Sequence, residues 1–226
     1  AETVRQAKPT LLIGTSAQAG AFTEEIVREM TSVTERPIIL PLSNPTAKAE
    51  AVPEDLLEWT DGGALIATGS PFKPVVRDGV TYTIAQANNA LVFPGMGLGT
   101  VAVRATRLTD GMITAAAQAV ADMTTVGTQG AAVLPSMREL RSVSAAVAER
   151  VAAAAVEEGV ATLELDNPRE TIANLMWTPE YPEVEVVDSI ETPSARPTDP
   201  GARGVRHTGD DSPLSRWRPR LPRLKG

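Results

Sequence analysis

Two adjacent carboxamides, Asn88 and Asn89, stand out as side chains that could hold a ligand. They precede an apolar stretch typical of a helix, and asparagine is a poor residue for a helix interior. Each carboxamide offers one acceptor and two donors without carrying charge. The pair is therefore suited to binding a carboxylate or the amide of a nicotinamide. Capping of the next segment explains one of the two equally well, but explains both less well.

Three short polar loops are further candidates, because each follows an apolar run typical of a strand. They are Gly14-Thr15-Ser16, Ser43-Asn44-Pro45-Thr46 and Thr68-Gly69-Ser70. Parallel sheets place their functional loops at the carboxyl ends of the strands, so we expect all three on one edge. Small polar loops let backbone N–H groups and hydroxyls approach ribose, amide or phosphate oxygens. For any one loop alone, an ordinary turn is the simpler explanation.

Three glycines, Gly95, Gly97 and Gly99, alternate directly after the asparagines. The dinucleotide-binding fingerprint G-x-G-x-x-G would need a glycine at Thr100, a strand before it and a βαβ unit after it. The residues that follow are typical of helices instead. We therefore expect these glycines to let a helix pack closely against a neighbour, and not to bind pyrophosphate.

The elements that must position these residues follow the pattern of a parallel sheet. Apolar runs at about 10–14, 37–42 and 64–68 predict strands, and helical segments separate them. The runs are apolar throughout, as in strands that are covered on both faces. Several helices are predicted afterwards, the first from about Pro94 to Arg107. The predicted fold class is α/β, a partial Rossmann-like parallel sheet flanked by helices and followed by carboxyl-terminal helices.

The composition of the chain limits the chemistry it can perform. Its 226 residues include no cysteine and one histidine, His207. This excludes cysteine nucleophiles and, in the predicted folded part, Ser-His-Asp triads and the usual zinc sites. No apolar run is long enough to span a bilayer and no secretory signal is visible, so we expect a cytoplasmic protein with no membrane partner.

Charge and composition divide the chain into two predicted parts. Residues 1–188 carry 13 basic and 24 acidic side chains, whereas residues 189–226 carry 8 and 4. An acidic body is a poor surface for nucleic acid, so no such partner is expected. In residues 189–226 Pro, Arg, Asp, Gly and Ser dominate and periodic apolar positions stop. This part is predicted to be a disordered polar and basic tail.

Four ordered segments resemble the cofactor domain of malic enzymes, which oxidatively decarboxylate malate to pyruvate and CO2. They are IGTSAQAGAFTEEIVREM, RPIILPLSNPTAKAE, ALIATGSPFKPV and QANNALVFPGMGLG. Two later segments, LPSMRELRSVSAAVAERVAAAAVEEG and MWTPEY, are similar to the closing helices of that family. The resemblance covers residues 1 to about 185. It implies the carboxyl-terminal part of the NAD-binding domain of an NAD-type malic enzyme.

The resemblance implies which residues would contact the cofactor, NAD or NADP. Asn44 would lie near the nicotinamide ribose, close to malate. Gly14, Thr15 and Ser43 would form backbone walls along the dinucleotide.

The resemblance also implies a role in substrate binding for the paired asparagines. Asn88 and Asn89 would line the pocket for malate or pyruvate, and one of them would bind a malate carboxylate.

The resemblance implies, in addition, that the reactive groups lie elsewhere. In malic enzymes the general-acid tyrosine, the general-base lysine, the acidic ligands of Mg²⁺ or Mn²⁺ and the G-x-G-x-x-G loop come from segments before the first match. Tyr82, Tyr181, Lys8 and Lys73 match no catalytic motif. We therefore assign no catalytic and no metal-binding residue to this chain.

The expected partner is the missing amino-terminal part, in an enzyme that forms homo-oligomers when complete. The alternative is a catalytically inactive truncated remnant that acts at most as a nucleotide-binding or interaction module. A sheet without its first strands has an open edge, so we expect the isolated chain to be marginally stable or to associate.

Overall fold

The computed structural model describes residues 1–124 and 127–180. The predicted tail at 189–226, the end of the predicted folded part and Tyr181 lie outside the described residues. The helices are α1 (Glu2–Ala7), α2 (Glu24–Thr31), α3 (Pro53–Trp59), α4 (Phe93–Ala102), α5 (Asp110–Asp122), α6 (Leu140–Glu157) and α7 (Pro168–Leu175). The strands are β1 (Leu11–Gly14), β2 (Ile38–Pro41), β3 (Leu65–Thr68), β4 (Val75–Arg77), β5 (Val80–Tyr82) and β6 (Ala85–Gln86). Short 3-10 turns lie at Thr46–Lys48, Asn89–Leu91 and Met137–Glu139.

A parallel sheet organises the amino-terminal half of the described chain. Its strand order is β1-β2-β3-β6, and each neighbouring pair is parallel. Helices α2 and α3 connect the first three strands, as βαβ topology requires. Side chains from these helices and from the sheet form a buried apolar cluster that includes Val27, Ile39, Leu56 and Ile66. The predicted α/β class and its three strands are confirmed.

Two short elements were not anticipated from the sequence. Strands β4 and β5 form a β-hairpin with a two-residue turn, and Arg77 pairs with Val80 next to that turn. Its turn residues, Asp78 and Gly79, both have positive φ angles, 49° and 77°, which suits a type I′ turn. The two-residue strand β6 then extends the parallel sheet beside β3.

A second apolar core lies among the carboxyl-terminal helices. Helix α6 packs against α4, α5 and α7. Its buried face consists of small and β-branched residues, including Val143, Val147, Ala148 and Val151. No helix within the described ranges is long and apolar enough to cross a membrane.

The alternating glycines are explained by the contact between α4 and α6. A Cβ atom on Gly95 would lie 2.5 Å from the carbonyl oxygen of Ser144, and one on Gly99 would lie 2.5 Å from that of Ala148. Gly97 is exposed, and a Cβ there would meet nothing within 4 Å. The predicted packing role is therefore confirmed for Gly95 and Gly99 but not for Gly97.

Helix α4 ends at Ala102, five residues before the predicted end at Arg107. Arg104 adopts a left-handed conformation with φ of 49°, which stops the helix. Beyond it, the N–H of Thr106 donates to the carbonyl of Val160, and the N–H of Thr162 donates to that of Val103. The prediction of a longer helix was wrong because these long-range backbone bonds replace the helical ones.

Candidate functional site

The loops that follow the parallel strands are joined by hydrogen bonds at one edge of the sheet. The N–H of Ala17, after β1, donates to Oγ of Ser43, after β2, over 2.9 Å. The Oγ of Ser70, after β3, donates to Oδ1 of Asn44 over 2.6 Å. Gln86 then donates to the carbonyl of Gly69 over 3.2 Å. The expectation that these loops share one edge is confirmed.

A buried carboxylate, Glu50, connects the first two loops. Its side chain is 0% exposed. The backbone N–H of Ser16 donates to Oε1 over 2.8 Å and the Ser16 hydroxyl does so over 2.9 Å. The hydroxyl of Ser43 donates to the same oxygen, while the N–H of Ser43 donates to Oε2 over 3.4 Å. Glu50 therefore accepts four hydrogen bonds from residues on two different loops.

The environment of Glu50 keeps it ionised at neutral pH. Burial opposes ionisation, but hydrogen bonds from Ser43 and from the backbone and hydroxyl of Ser16 outweigh it and lower the pKa from 4.5 to about 2. Donors from the protein occupy both carboxylate oxygens. The negative charge therefore stabilises the two loops and is not available to a ligand. Sequence reasoning missed Glu50, since the surrounding AKAEA resembles an ordinary solvated stretch.

The variant Glu50→Gln is expected to reveal this charge through the pH dependence of stability. A lowered folded-state pKa stabilises the protein above the ordinary value of 4.5, and this stabilisation is lost as the pH falls towards about 2. Near neutral pH we expect the variant to be less stable by roughly 1–3 kcal/mol. The difference should shrink between about pH 5 and pH 2 in urea unfolding series. A difference that stays constant across this range would contradict the assignment.

The loop glycine Gly14 and its neighbour Thr15 have different environments. Gly14 is buried, and a Cβ there would lie 2.6 Å from Cδ of Glu50 and 2.7 Å from Cζ of Phe22. The glycine therefore makes room for Glu50 below the loop. Thr15 is exposed, and its side chain forms no hydrogen bond with any described residue. Its surface remains accessible to a ligand.

The carboxamide of Asn44 has a defined orientation. The residue is exposed, but its Oδ1 is occupied by the hydroxyl of Ser70, which is buried. The hydroxyl of Thr68 in turn donates to the carbonyl of Ser70 over 2.8 Å. In this orientation Nδ2 of Asn44 makes no hydrogen bond to the described part of the protein. The amide group of Asn44 is therefore free to donate to a ligand, while Oδ1 can accept one further hydrogen bond.

The two asparagines after β6 are not equivalent. Oδ1 of Asn88 accepts from the N–H of Ala90 over 2.9 Å and caps the 3-10 turn that follows. A backbone N–H can only donate, so this contact also fixes the direction of the Asn88 amide group. Asn89 is exposed and its side chain has no hydrogen bond to the described residues. The capping alternative thus applies to Asn88, whose Nδ2 remains available as a donor.

The site as a whole offers uncharged hydrogen-bond donors. Asn44 and Asn88 both use their oxygen within the protein and leave their amide groups free, and Asn89 leaves its whole carboxamide free. Such an arrangement is complementary to carboxylate or carbonyl oxygens. Within residues 1–124 and 127–180, no three His, Cys, Asp or Glu side chains gather as metal ligands.

The fold and the position of these loops define a class of protein. Small polar loops at the carboxyl edge of a parallel α/β sheet are typical of nucleotide-binding domains. The chain matches the family described as "Malic enzyme, NAD binding domain" over residues 1–156. It belongs to the malic enzyme family, as the resemblance of its segments predicted.

Curated relatives support this assignment over most of the chain. The NAD-dependent malic enzyme 3 of Bacillus subtilis (strain 168) is 58% identical over 186 residues, which is 82% of this chain and 33% of that protein. The NAD-dependent malic enzyme of Sodalis glossinidius (strain morsitans) is 51% identical over 182 residues, or 80% of this chain and 32% of that protein. The chain therefore spans about a third of the length of these relatives.

Solved structures show the same fold relationship. The malic enzyme from Pyrococcus horikoshii Ot3 aligns with a TM-score of 0.58 and 30% identity, covering 73% of this chain and 34% of that chain. The Entamoeba histolytica malic enzyme aligns with a TM-score of 0.58 and 27% identity, covering 74% of this chain and 31% of that chain.

Proposed function

We propose that this chain forms the carboxyl-terminal part of the catalytic unit of an NAD-dependent malic enzyme. The complete enzyme would oxidise and decarboxylate malate to pyruvate and CO2. The observation that carries the proposal is the group of free amide donors on Asn44, Asn88 and Asn89, in a chain that is 58% identical to such an enzyme from Bacillus subtilis.

In the proposed reaction Asn44 contacts the nicotinamide nucleotide close to malate, while Asn88 and Asn89 bind and orient malate itself. Their N–H groups donate to a substrate carboxylate without adding a positive charge, which suits a site that must later release CO2 and pyruvate. Gly14, Thr15 and Ser43 would line the nucleotide. A bound NAD would supply the hydride acceptor.

In our proposal the proton-transfer groups of this reaction come from outside the described residues. Malate oxidation requires a base for the hydroxyl proton, and the product enolate requires an acid. The single histidine lies outside the described residues. Lys8 and Tyr82 do not lie in the loops that form the site, and Lys73, in the segment between β3 and β4, matches no catalytic motif of the family. In our proposal the base, the acid and the metal ligands belong to the amino-terminal part.

The open edge of the sheet supports a partner of this kind. In the described part of the chain β1 pairs only with β2. Around this edge Leu11, Ile13 and Ile38 are 43%, 53% and 37% exposed, which is high for strand residues of a parallel sheet. We propose that the amino-terminal part of the enzyme covers this edge.

A chimaera tests the proposed function. Residues 1–180 of this chain would follow the amino-terminal two thirds of the Bacillus subtilis relative, and malate-dependent reduction of NAD would be measured. We expect turnover in the range of typical enzymes, about 1–1000 per second. We also expect the chimaera to associate less than the isolated chain, because its sheet edge is covered.

Two outcomes would contradict the proposal. A folded chimaera that binds NAD but does not reduce it with malate would favour the alternative of an inactive nucleotide-binding module. An isolated chain that melts sharply as a monodisperse monomer would show that the edge of β1 needs no partner.

A further inference from the structure

Glu50 is joined to the nucleotide-side loops by both its main chain and its side chain. Its carbonyl oxygen accepts from the N–H of Phe22 over 3.0 Å, where the chain returns towards α2. Its carboxylate accepts from Ser16 after β1 and from Ser43 after β2. Glu50 thus contacts the first polar loop at Ser16, the end of the segment after it at Phe22, and the adjacent loop at Ser43.

Apart from the bonds of Ala17 to Ser43 and of Ser70 to Asn44, the residues that Glu50 holds have few anchors. Residues 15–20 and 44–48 are exposed, and most of their side chains are small or polar and bury little apolar surface. Ordering such loops when a ligand binds would oppose binding by about 1 kcal/mol or more for each residue. The buried carboxylate orders them during folding instead, so a nucleotide would meet loops that are already in place.

Glu50 does not itself contact a ligand. It is completely buried, and donors from the protein occupy both of its oxygens. Its effect must therefore pass through Ser16 and Ser43 to their neighbours. Those neighbours, Thr15 and Asn44, are the exposed residues assigned to the nucleotide.

We propose that Glu50 is a positioning residue of the nucleotide site, because its carboxylate joins the loops after β1 and β2 and holds Thr15 and Asn44 in the arrangement that receives the nicotinamide nucleotide. The nature of the ligand rests on the proposed function, whereas the ordering of the loops does not.

Hydrogen exchange on the 226-residue chain tests the ordering of the loops. In Glu50→Gln, exchange at the amides of Ser16, Ala17 and Ser43 should accelerate at least about tenfold, because charge-assisted hydrogen bonds are lost. Amides in the middle of α6 should accelerate less than those in the loops, and by no more than the loss of global stability in urea unfolding explains. Glu54→Gln, the same change at an exposed glutamate of α3, should leave the loops unchanged. Ser16→Ala provides a milder variant, with a smaller acceleration in the same loops, if Glu50→Gln does not fold.

The exchange result shows whether Glu50 orders the two loops or only stabilises the fold as a whole. Acceleration that is greater in the loops than in α6 supports the proposal. Unchanged loop exchange in Glu50→Gln, or an equal rise in the loops and in α6, overturns it.

Steady-state kinetics of the chimaera provide a second readout. Glu50→Gln should raise the KM for NAD about tenfold and leave kcat within about twofold, as expected when uniform binding of the nucleotide is weakened. A lowered kcat with an unchanged KM for NAD would overturn the positioning role. An unmodified chimaera without turnover would instead refute the proposed function, and the exchange experiment would still decide the role of Glu50 in the loops.

Discussion

Gly69→Ala should abolish most of the NAD-dependent activity of the chimaera and reduce the stability of the chain by about 3 kcal/mol. A Cβ atom on Gly69 would overlap the carbonyl oxygen of Leu42 and lie 2.6 Å from its carbonyl carbon. Both atoms belong to the main chain, so no side chain can rotate away. The loop after β3 would have to separate from the loop after β2, which would break the contact between Ser70 and Asn44. Urea unfolding and malate-dependent reduction of NAD measure the two effects.

Gly97→Ala provides the matched control for Gly69→Ala, since a Cβ on Gly97 would meet nothing within 4 Å. It should retain activity and lose no stability. Retention of full activity by Gly69→Ala would show that the loops after β2 and β3 can move apart without harming the site, and our description of the edge would be wrong.

Gly99→Ala should destabilise the chain by about 1–3 kcal/mol through the contact between α4 and α6. Its Cβ would lie 2.5 Å from the carbonyl oxygen of Ala148 and 3.0 Å from Cβ of Val151, so the two helices would have to separate. Gly97→Ala, two residues away on the exposed side of the same helix, should stabilise the chain by up to about 1 kcal/mol because alanine favours helices. Urea unfolding of the two variants compares the opposing effects.

The stability changes of Gly99→Ala and Gly97→Ala should have opposite signs. This difference distinguishes close packing of α4 on α6 from the helix propensity of alanine alone. Two alanine variants that are both more stable than the original chain would show that α4 and α6 are not in close contact at Gly99.

Much of the sheet could be predicted from sequence because its signals are local. The continuous apolar runs before Gly14, Leu42 and Gly69 are typical of parallel strands, although Leu11 and Ile13 of β1 are exposed and not covered on both faces. Parallel topology then requires the polar loops after them to share an edge. The exclusion of the G-x-G-x-G run as a phosphate loop was likewise possible, because helices and not a βαβ unit follow it.

The elements that sequence reasoning missed depend on distant partners or very short segments. Glu50 is 34 residues from Ser16, so nothing local distinguishes it from a surface glutamate. Helix α4 ends early because Thr106 bonds to Val160, 54 residues away. The β4–β5 hairpin has only three residues in each strand, although Asp78-Gly79 between them was a usable turn signal.

The sequence predicted the residue types of the candidate site, but not which of their atoms are free to donate or accept hydrogen bonds. The sequence identified Asn44, Asn88 and Asn89, and their assignment to ligand binding remains a prediction. Which end of the carboxamide is free depends on a distant partner, Ser70, for Asn44, and on the local turn at Ala90 for Asn88. Only with these partners known does the site become a set of donors, which favours an anionic ligand.

The most direct test of this donor-based account is the KM for malate of Asn88→Asp in the chimaera. Aspartate keeps the oxygen that caps the turn at Ala90, so the fold should be retained, but it replaces the free amide group by a negative oxygen. Asn88→Ser, which also caps, serves as the control without the charge. We expect the KM for malate to rise at least about tenfold in Asn88→Asp, and less in Asn88→Ser, while the KM for NAD changes little. An unchanged KM for malate in Asn88→Asp would contradict the account, because Asn88 would then be a structural cap and not part of the substrate site.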